Sequence, residues 1–469
     1  MGTSHTPNLS SRRDFLRDTV LGAASLVALR LPTQAGVGTA TEDPASVAHA
    51  VLAASTCKAL QFSTTTTPRS QTLSRAFTDI IACAEELRSI DTAREGSSAK
   101  APLSKRQKLE TKIHDLIKRC PELRESLPQG SQPTWQEIAL SILPQALAPH
   151  GILVMAEAKP TVISSAGDDV RQLGINLRFF HTERLSTTSR AVDGVNFTRA
   201  TSTVTDEYVT DRGALQRKPT GESDRRGGAF AAYGNVFIFP EGLEATRLHY
   251  AKERPILQSW LQRVESPSHG LSNELANAEK REMRQFILRQ YVYARLLNDN
   301  IATLDDPRAF QTQRIEHHED YHVADTHTGR ARGFLTRATN NTPAALREAT
   351  ERSCFHHELS SQIREILDPS GLGLAIVIRN SFAPVDPRSK RQTTDPHDSS
   401  ADWIVRHAVQ TLVTEAPNYG FTPRDDLGLK TEEQALLFLA TLLRGDNTKM
   451  TKLVDSLRAR AATIERVSH

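Results

Sequence analysis

The chain has 469 residues, of which 38% are apolar and 24% charged, and its formal net charge is only +3. That length suffices for two or three domains with buried cores. Basic and acidic side chains are interspersed and form no stripe, so the charge pattern offers nothing to nucleic acid or to an anionic membrane surface.

At the N-terminus, Ser11-Arg12-Arg13-Asp14-Phe15-Leu16-Arg17 sets two arginines one residue ahead of Phe15-Leu16 and a further basic residue. An uncharged stretch rich in Gly and Ala follows from Thr19 to Leu29. It is too short to span a bilayer, which takes about 20 apolar residues. Thr33-Gln34-Ala35 then supplies a small-x-small pattern before Gly36. Together these features resemble a bacterial twin-arginine signal peptide over residues 1–36, with Arg12, Arg13, Phe15 and Leu16 as its defining side chains. The resemblance implies recognition by the twin-arginine translocase and export of an already folded chain. It implies a periplasmic or secreted location, with no membrane span once the signal is removed.

Residues 37–150 read as a helical N-terminal region. Leu73, Phe77, Ile80, Ile81, Ala84 and Leu87 recur at helical spacing, and Glu95 to Lys100 reads as a loop. The four cysteines, Cys57, Cys83, Cys120 and Cys354, show no CxxC pair, which argues against cysteine-ligated metal. They read as small buried side chains, with one disulfide among the first three as the alternative in an oxidising compartment.

Residues 151–250 read as a β-rich segment. Ile152-Leu153-Val154, Ile175 to Phe180, Glu207-Tyr208-Val209 and Asn235 to Phe239 are short β-type runs bounded by Gly, Pro, Asp and Asn. Gln216 to Gly228 reads as a charged loop. The Asn235 run is either a core strand or a sheet edge open to a peptide by strand addition.

Residues 251–469 read as a helical domain. A long helix is expected over 274–297, with Met283, Phe286, Ile287, Tyr291 and Ala294 on one face. A second opens at Asp306-Pro307, where Asp caps and Pro takes the first helical position. A third opens at Thr342-Pro343 and stops at Asp368-Pro369-Ser370-Gly371, and Pro384 to Ser400 reads as a polar linker. Thr431 with Gln434 forms a capping-box pattern ahead of Leu436 to Leu443. The fold class expected is α+β, predominantly helical, with the smaller β-rich segment between two helical regions.

The second of these helices carries His318-Glu319-Asp320-Tyr321-His322, a His-Glu-x-x-His sequence. Two histidines four apart share one helix face and can aim imidazole nitrogens at one zinc ion, while the neighbouring glutamate can act as general base on a zinc-bound water. Ile315, His318, His322 and Asp325 fall on a single stripe, which makes Asp325 a candidate to orient a ligand histidine. The motif resembles that of the zincin metallopeptidases. The resemblance covers the motif helix and the next one, with charged Glu316 and Asp320 departing from the usual uncharged neighbours. Asp325 and Thr328 stand where the metzincin branch has Gly and His, so the implied branch is gluzincin-like, whose third ligand is a Glu on a following helix.

On that basis Glu358 is the preferred third ligand and Glu351, one heptad earlier, its alternative. His356 and His357 beside it are candidates for a further ligand or a hydrogen bond to a developing oxyanion. The function implied is an exported zinc-dependent hydrolase in which Glu319 activates water against a peptide or cell-envelope amide. The alternative is a non-catalytic exported helical protein, either an inactive zincin relative or a cell-envelope binding module.

Overall fold

Leu73, Phe77, Ile80, Ile81, Ala84 and Leu87 lie at 1% exposure or less along one face of helix α1 (Gln71–Thr92). Helix α2 (Leu103–Arg119) packs beside it with Leu109, Ile113 and Ile117 buried. This is a computed structural model, and it describes residues 60, 70–92, 103–127, 133, 135–165, 168–220, 228–232, 234–266, 270–278, 280–299, 301–328, 355–382, 396–425, 429–445 and 447–467. The signal-like segment with Arg12, Arg13, Phe15 and Leu16 lies outside them, as do the 95–100 loop, Cys57, Cys354, the Thr342-Pro343 helix start and Glu351. The chain divides into two units, residues 1–242 with 323–350 and residues 243–322 with 351–469.

The first unit joins α1 and α2 to a six-stranded sheet in one core. Its strands are β1 (Ile152–Ser165), β2 (Asp168–Val192), β3 (Val195–Asp211), β4 (Ala214–Pro219), β5 (Ala229–Ala232) and β6 (Asn235–Ile238). They run in the order β1-β2-β3-β6-β5, with β4 also on β3. All pairings are antiparallel except β3 with β6. Successive side chains of a strand point to opposite faces. Phe179 therefore joins the helix-side core, edge-on to Phe77 at 5.7 Å, while Phe180 meets Phe239 on the other face at 6.2 Å. Both faces are apolar at this end of the sheet, which explains the unbroken run Ile152-Leu153-Val154. Asp193 and Gly194, both at positive φ, close the β2–β3 hairpin.

Two expectations change here. Gln216 to Pro219 belongs to β4, paired residue for residue with β3, and is not loop; residues 221–227 lie outside the described set. β6 pairs with β3 on one side and β5 on the other, so it is a core strand and offers no edge for strand addition.

The second unit is helical. Its longer described helices are α3 (Pro240–Val264, in this unit from Leu243), α4 (Arg281–Asp299), the three-part α5 described below (in this unit to His322), α6 (355–365), α7 (Leu372–Asn380), α8 (Pro396–Thr414), α9 (Thr431–Gly445) and α10 (Asn447–Val467). α7 is buried from Leu372 through Ile378, as expected of a helix apolar all round, and packs against α4 and α8. Buried Arg289 of α4 reaches Asp402 of α8 at 2.8 Å. Glu253 of α3 meets Arg379 of α7 at 3.1 Å and accepts from the Tyr293 hydroxyl of α4 at 2.7 Å.

The expected helix over 274–297 is broken. Gly270–Ala276 ends and α4 starts at Arg281; at the break the Leu275 carbonyl accepts the Ala278 N–H at 3.2 Å and the Arg284 guanidinium at 2.7 Å. α4 buries Leu288, Val292, Ala294 and Leu296, while Met283, Phe286, Ile287 and Tyr291 are half-buried. Residues His397 to Ser400, expected as linker, form the first turn of α8. The cap of α9 is shifted by one residue. Lys430 donates its N–H to Glu433 at 3.0 Å, while Gln434 turns back to the Arg424 backbone.

Cys83 and Cys120 are buried free thiols. Among the described residues no helix is long and apolar enough to cross a membrane.

Candidate metal centre

Helix α5 starts as its sequence dictates. Asp306 is extended and its carboxylate accepts the Arg308 N–H at 2.8 Å, with Pro307 as the first helical residue. The helix runs Pro307–Arg314, widens into a π-helical turn at Ile315–Glu319, and resumes as α-helix over Asp320–Thr328. The Asp320 N–H reaches the Ile315 carbonyl, five residues back. A regular α-helix was expected here; the π turn puts an extra residue into the stretch that carries the motif, a distortion frequent at functional sites. His318 and His322 are buried, and their Nε2 atoms face each other at 3.2 Å with the rings edge to face. Two ligands about 2.0–2.1 Å from one tetrahedral ion stand about 3.3 Å apart, so this gap is compatible with a shared cation as well as with a hydrogen bond between the two rings.

Helix α6 supplies the third donor. Its apolar residues Leu359 and Ile363 are buried, but so is a polar stripe of Glu358, Gln362 and Glu365 spaced at four and three residues. Burying carboxylates is costly unless each finds partners, and here each does. Glu358 Oε1 lies 3.6 Å from His322 Nε2 and Oε2 lies 3.7 Å from His318 Nε2. Donor atoms of His318, His322 and Glu358 all lie within 4.8 Å of one another. Glu365 Oε2 lies 3.3 Å from the other nitrogen of His318, Nδ1, and its Oε1 is paired with Arg314 one turn before His318.

His397, in the first turn of α8, brings Nε2 to 2.9 Å from Glu358 Oε2 and lies roughly parallel to the His318 ring. Gln362 fixes that turn by donating to the His397 carbonyl at 3.2 Å and accepting from Ser400 at 3.0 Å. His357 stacks on His322 with ring centroids 3.9 Å apart.

For His322 and Glu358 the electrostatics favour the ligand forms. Burial, reinforced by the neighbouring His357 and His318, holds His322 well below the usual imidazole range, so it is neutral at pH 7. Burial pushes the Glu358 carboxyl up, but His397 and then His318 bring it below its ordinary value, so it is ionised. Neutral imidazole and ionised carboxylate are the states that bind metal. Glu319 sits beside this set and is only 3% exposed; burial raises its carboxyl above the ordinary range. Among the described residues no donor reaches its Oε2.

His318, His322, Glu319 and Glu358 thus come together, and Glu351 lies outside the described residues. Asp325, expected to orient a ligand histidine or touch the metal, is buried on the same helix, and the carboxylate at His318 Nδ1 is Glu365. Sequence reasoning missed Glu365, Arg314, Gln362 and His397. The only trace of Glu365 was its heptad step from Glu358, which a solvated helix face shares. No protein-family model matches the chain, and neither a curated protein nor a solved structure matches it.

Proposed function

We propose that the protein is an exported zinc-dependent hydrolase of the metallopeptidase type, with His318, His322 and Glu358 as the residues that would hold zinc. The observation that carries this reading is the convergence of two Nε2 atoms, 3.2 Å apart, on a carboxylate whose oxygens lie 3.6 and 3.7 Å from them. A His-His-Glu donor set is a catalytic rather than a closed structural one, because three protein ligands leave a position open. The pairing of a motif helix with a later Glu-bearing helix also fits a gluzincin-like core. Zinc in such a set supplies Lewis acidity and lowers the pKa of a coordinated water towards about 7. The chain's own part belongs to Glu319, whose carboxylate takes the proton of the attacking water and hands it to the leaving amine. A peptide or cell-envelope amide is the substrate class that this chemistry serves, and the Arg12-Arg13 segment supports delivery through the twin-arginine translocase to the periplasm or beyond.

Burial of Glu319 and Glu358, each 3% exposed, favours a second reading, a metal-holding but non-catalytic exported protein. Glu319→Ala separates the two when zinc content and hydrolysis of a peptide library are both measured. The hydrolase reading expects zinc retained and hydrolysis lost. The non-catalytic reading expects zinc retained and no hydrolysis by either wild type or variant. A wild-type protein purified without stoichiometric zinc removes the proposal.

A further inference from the structure

Within the same centre, one carboxylate is held more elaborately than a ligand set requires. Glu365 is 1% exposed and touches two basic side chains of one helix. Its Oε1 pairs with the Arg314 guanidinium, and its Oε2 lies 3.3 Å from His318 Nδ1. Arg314 and His318 are one turn apart on α5, so this single side chain of α6 braces the turn that leads into the π-helical segment.

The seat of Glu365 is built by the chain that follows it. Asp368 accepts the Gly373 N–H at 3.1 Å, and through Oδ1 and Oδ2 it accepts the Ser370 N–H and hydroxyl at 3.0 and 2.6 Å. These bonds fold the Asp368-Pro369-Ser370-Gly371 loop so that α7 starts hard against the end of α6. The contact has no room for a side chain. A Cβ at Gly373 would stand 1.9 Å from the Glu365 carbonyl oxygen and 2.9 Å from its Cγ.

We infer that Glu365 is the positioning residue of His318, fixing its proton on Nδ1 and its Nε2 lone pair towards His322 and Glu358, and that Gly373 provides the space in which it does so. An imidazole that donates one ring N–H to a carboxylate has its tautomer and ring plane set, and its other nitrogen becomes the better ligand. The inference rests on the metal reading for its purpose but not for its geometry, since the tautomer exists with or without an ion.

Nitrogen-15 NMR of histidine-labelled, metal-free protein reads the tautomer, and titration with zinc alone reads affinity. The wild type is expected to show His318 protonated on Nδ1. Glu365→Gln removes the charge but keeps the shape. The double variant Arg314→Met with Glu365→Met removes both buried charges together, so that neither is stranded and the fold survives. The double variant is expected to lose the Nδ1–H tautomer, and both proteins to bind zinc about 10–100-fold more weakly, the usual effect of losing such a partner. A folded double variant that keeps the Nδ1–H signal, or keeps zinc affinity within about twofold while the wild type binds it, overturns the inference. A wild type that binds no zinc but loses Nδ1–H in the double variant supports the positioning role and removes the hydrolase proposal instead.

Discussion

A carboxylate inside a protein is informative because water would hold its charge so much better. Glu253 shows the structural use of one. Burial works against its charge, but His249 at 3.2 Å, Arg379 and Tyr293 more than compensate, and its pKa falls to about 2. A depressed carboxyl contributes stability that is complete above its unfolded value and disappears as pH falls through the folded one. Glu253→Gln is therefore expected to cost on the order of 2–3 kcal/mol near pH 7. In denaturant titrations at stepped pH, the gap between wild type and variant should shrink from about pH 4.5 downward and close near pH 2; a constant gap would show that the contacts matter only as packing. Glu319 differs in kind. Its carboxyl is raised by burial, and among the described residues no donor reaches its Oε2.

At the scale of the element, the centre is the meeting of two helices that the sequence makes legible to different degrees. The cap at Asp306-Pro307 and the four-residue step from His318 to His322 are local, so spacing alone placed both imidazoles on one face. Glu358 was legible as a mid-helix carboxylate followed by small residues, in the place where the resemblance implies a third ligand. Glu365 was not, because what distinguishes it from a solvated glutamate is Arg314 on another helix, and spacing carries no record of a partner 51 positions away. His397 was hidden for a related reason, since the polar run 384–400 reads as linker while its last residues form a helical turn pinned by Gln362. The π turn leaves no periodic trace at all. The tight helix crossing gives a prediction at this scale. Gly373→Ala should destabilise the protein by about 1–3 kcal/mol through overpacking, and it should weaken zinc binding although no ligand is changed. Calorimetry of the variant with and without zinc measures both. Unaltered affinity would mean that the crossing holds α7 and has no bearing on Glu365.

For the whole molecule, the alternation of helical, β and helical regions was readable from periodicity, but their grouping was not. The N-terminal helices and the sheet share one core through Phe77, Phe179 and Tyr208, so a boundary near residue 150 divides composition and not structure. Every identified member of the centre, from Arg314 to His397, belongs to the second unit. Zinc binding should consequently stabilise that unit, by about 2.7 kcal/mol when free zinc is a hundredfold above its dissociation constant. Chelation should lower the unfolding temperature of the zinc-loaded protein; an unfolding temperature unchanged by chelation would show that these residues hold no metal. The most direct measurement is the zinc content and affinity of the purified protein beside His318→Ala, His322→Ala and Glu358→Ala, each checked for folding. One zinc per wild-type chain is expected, with at least a hundredfold loss of affinity (about 2.7 kcal/mol or more) in each variant. Stoichiometric zinc retained by all three variants, or a wild type with none, would contradict that expectation.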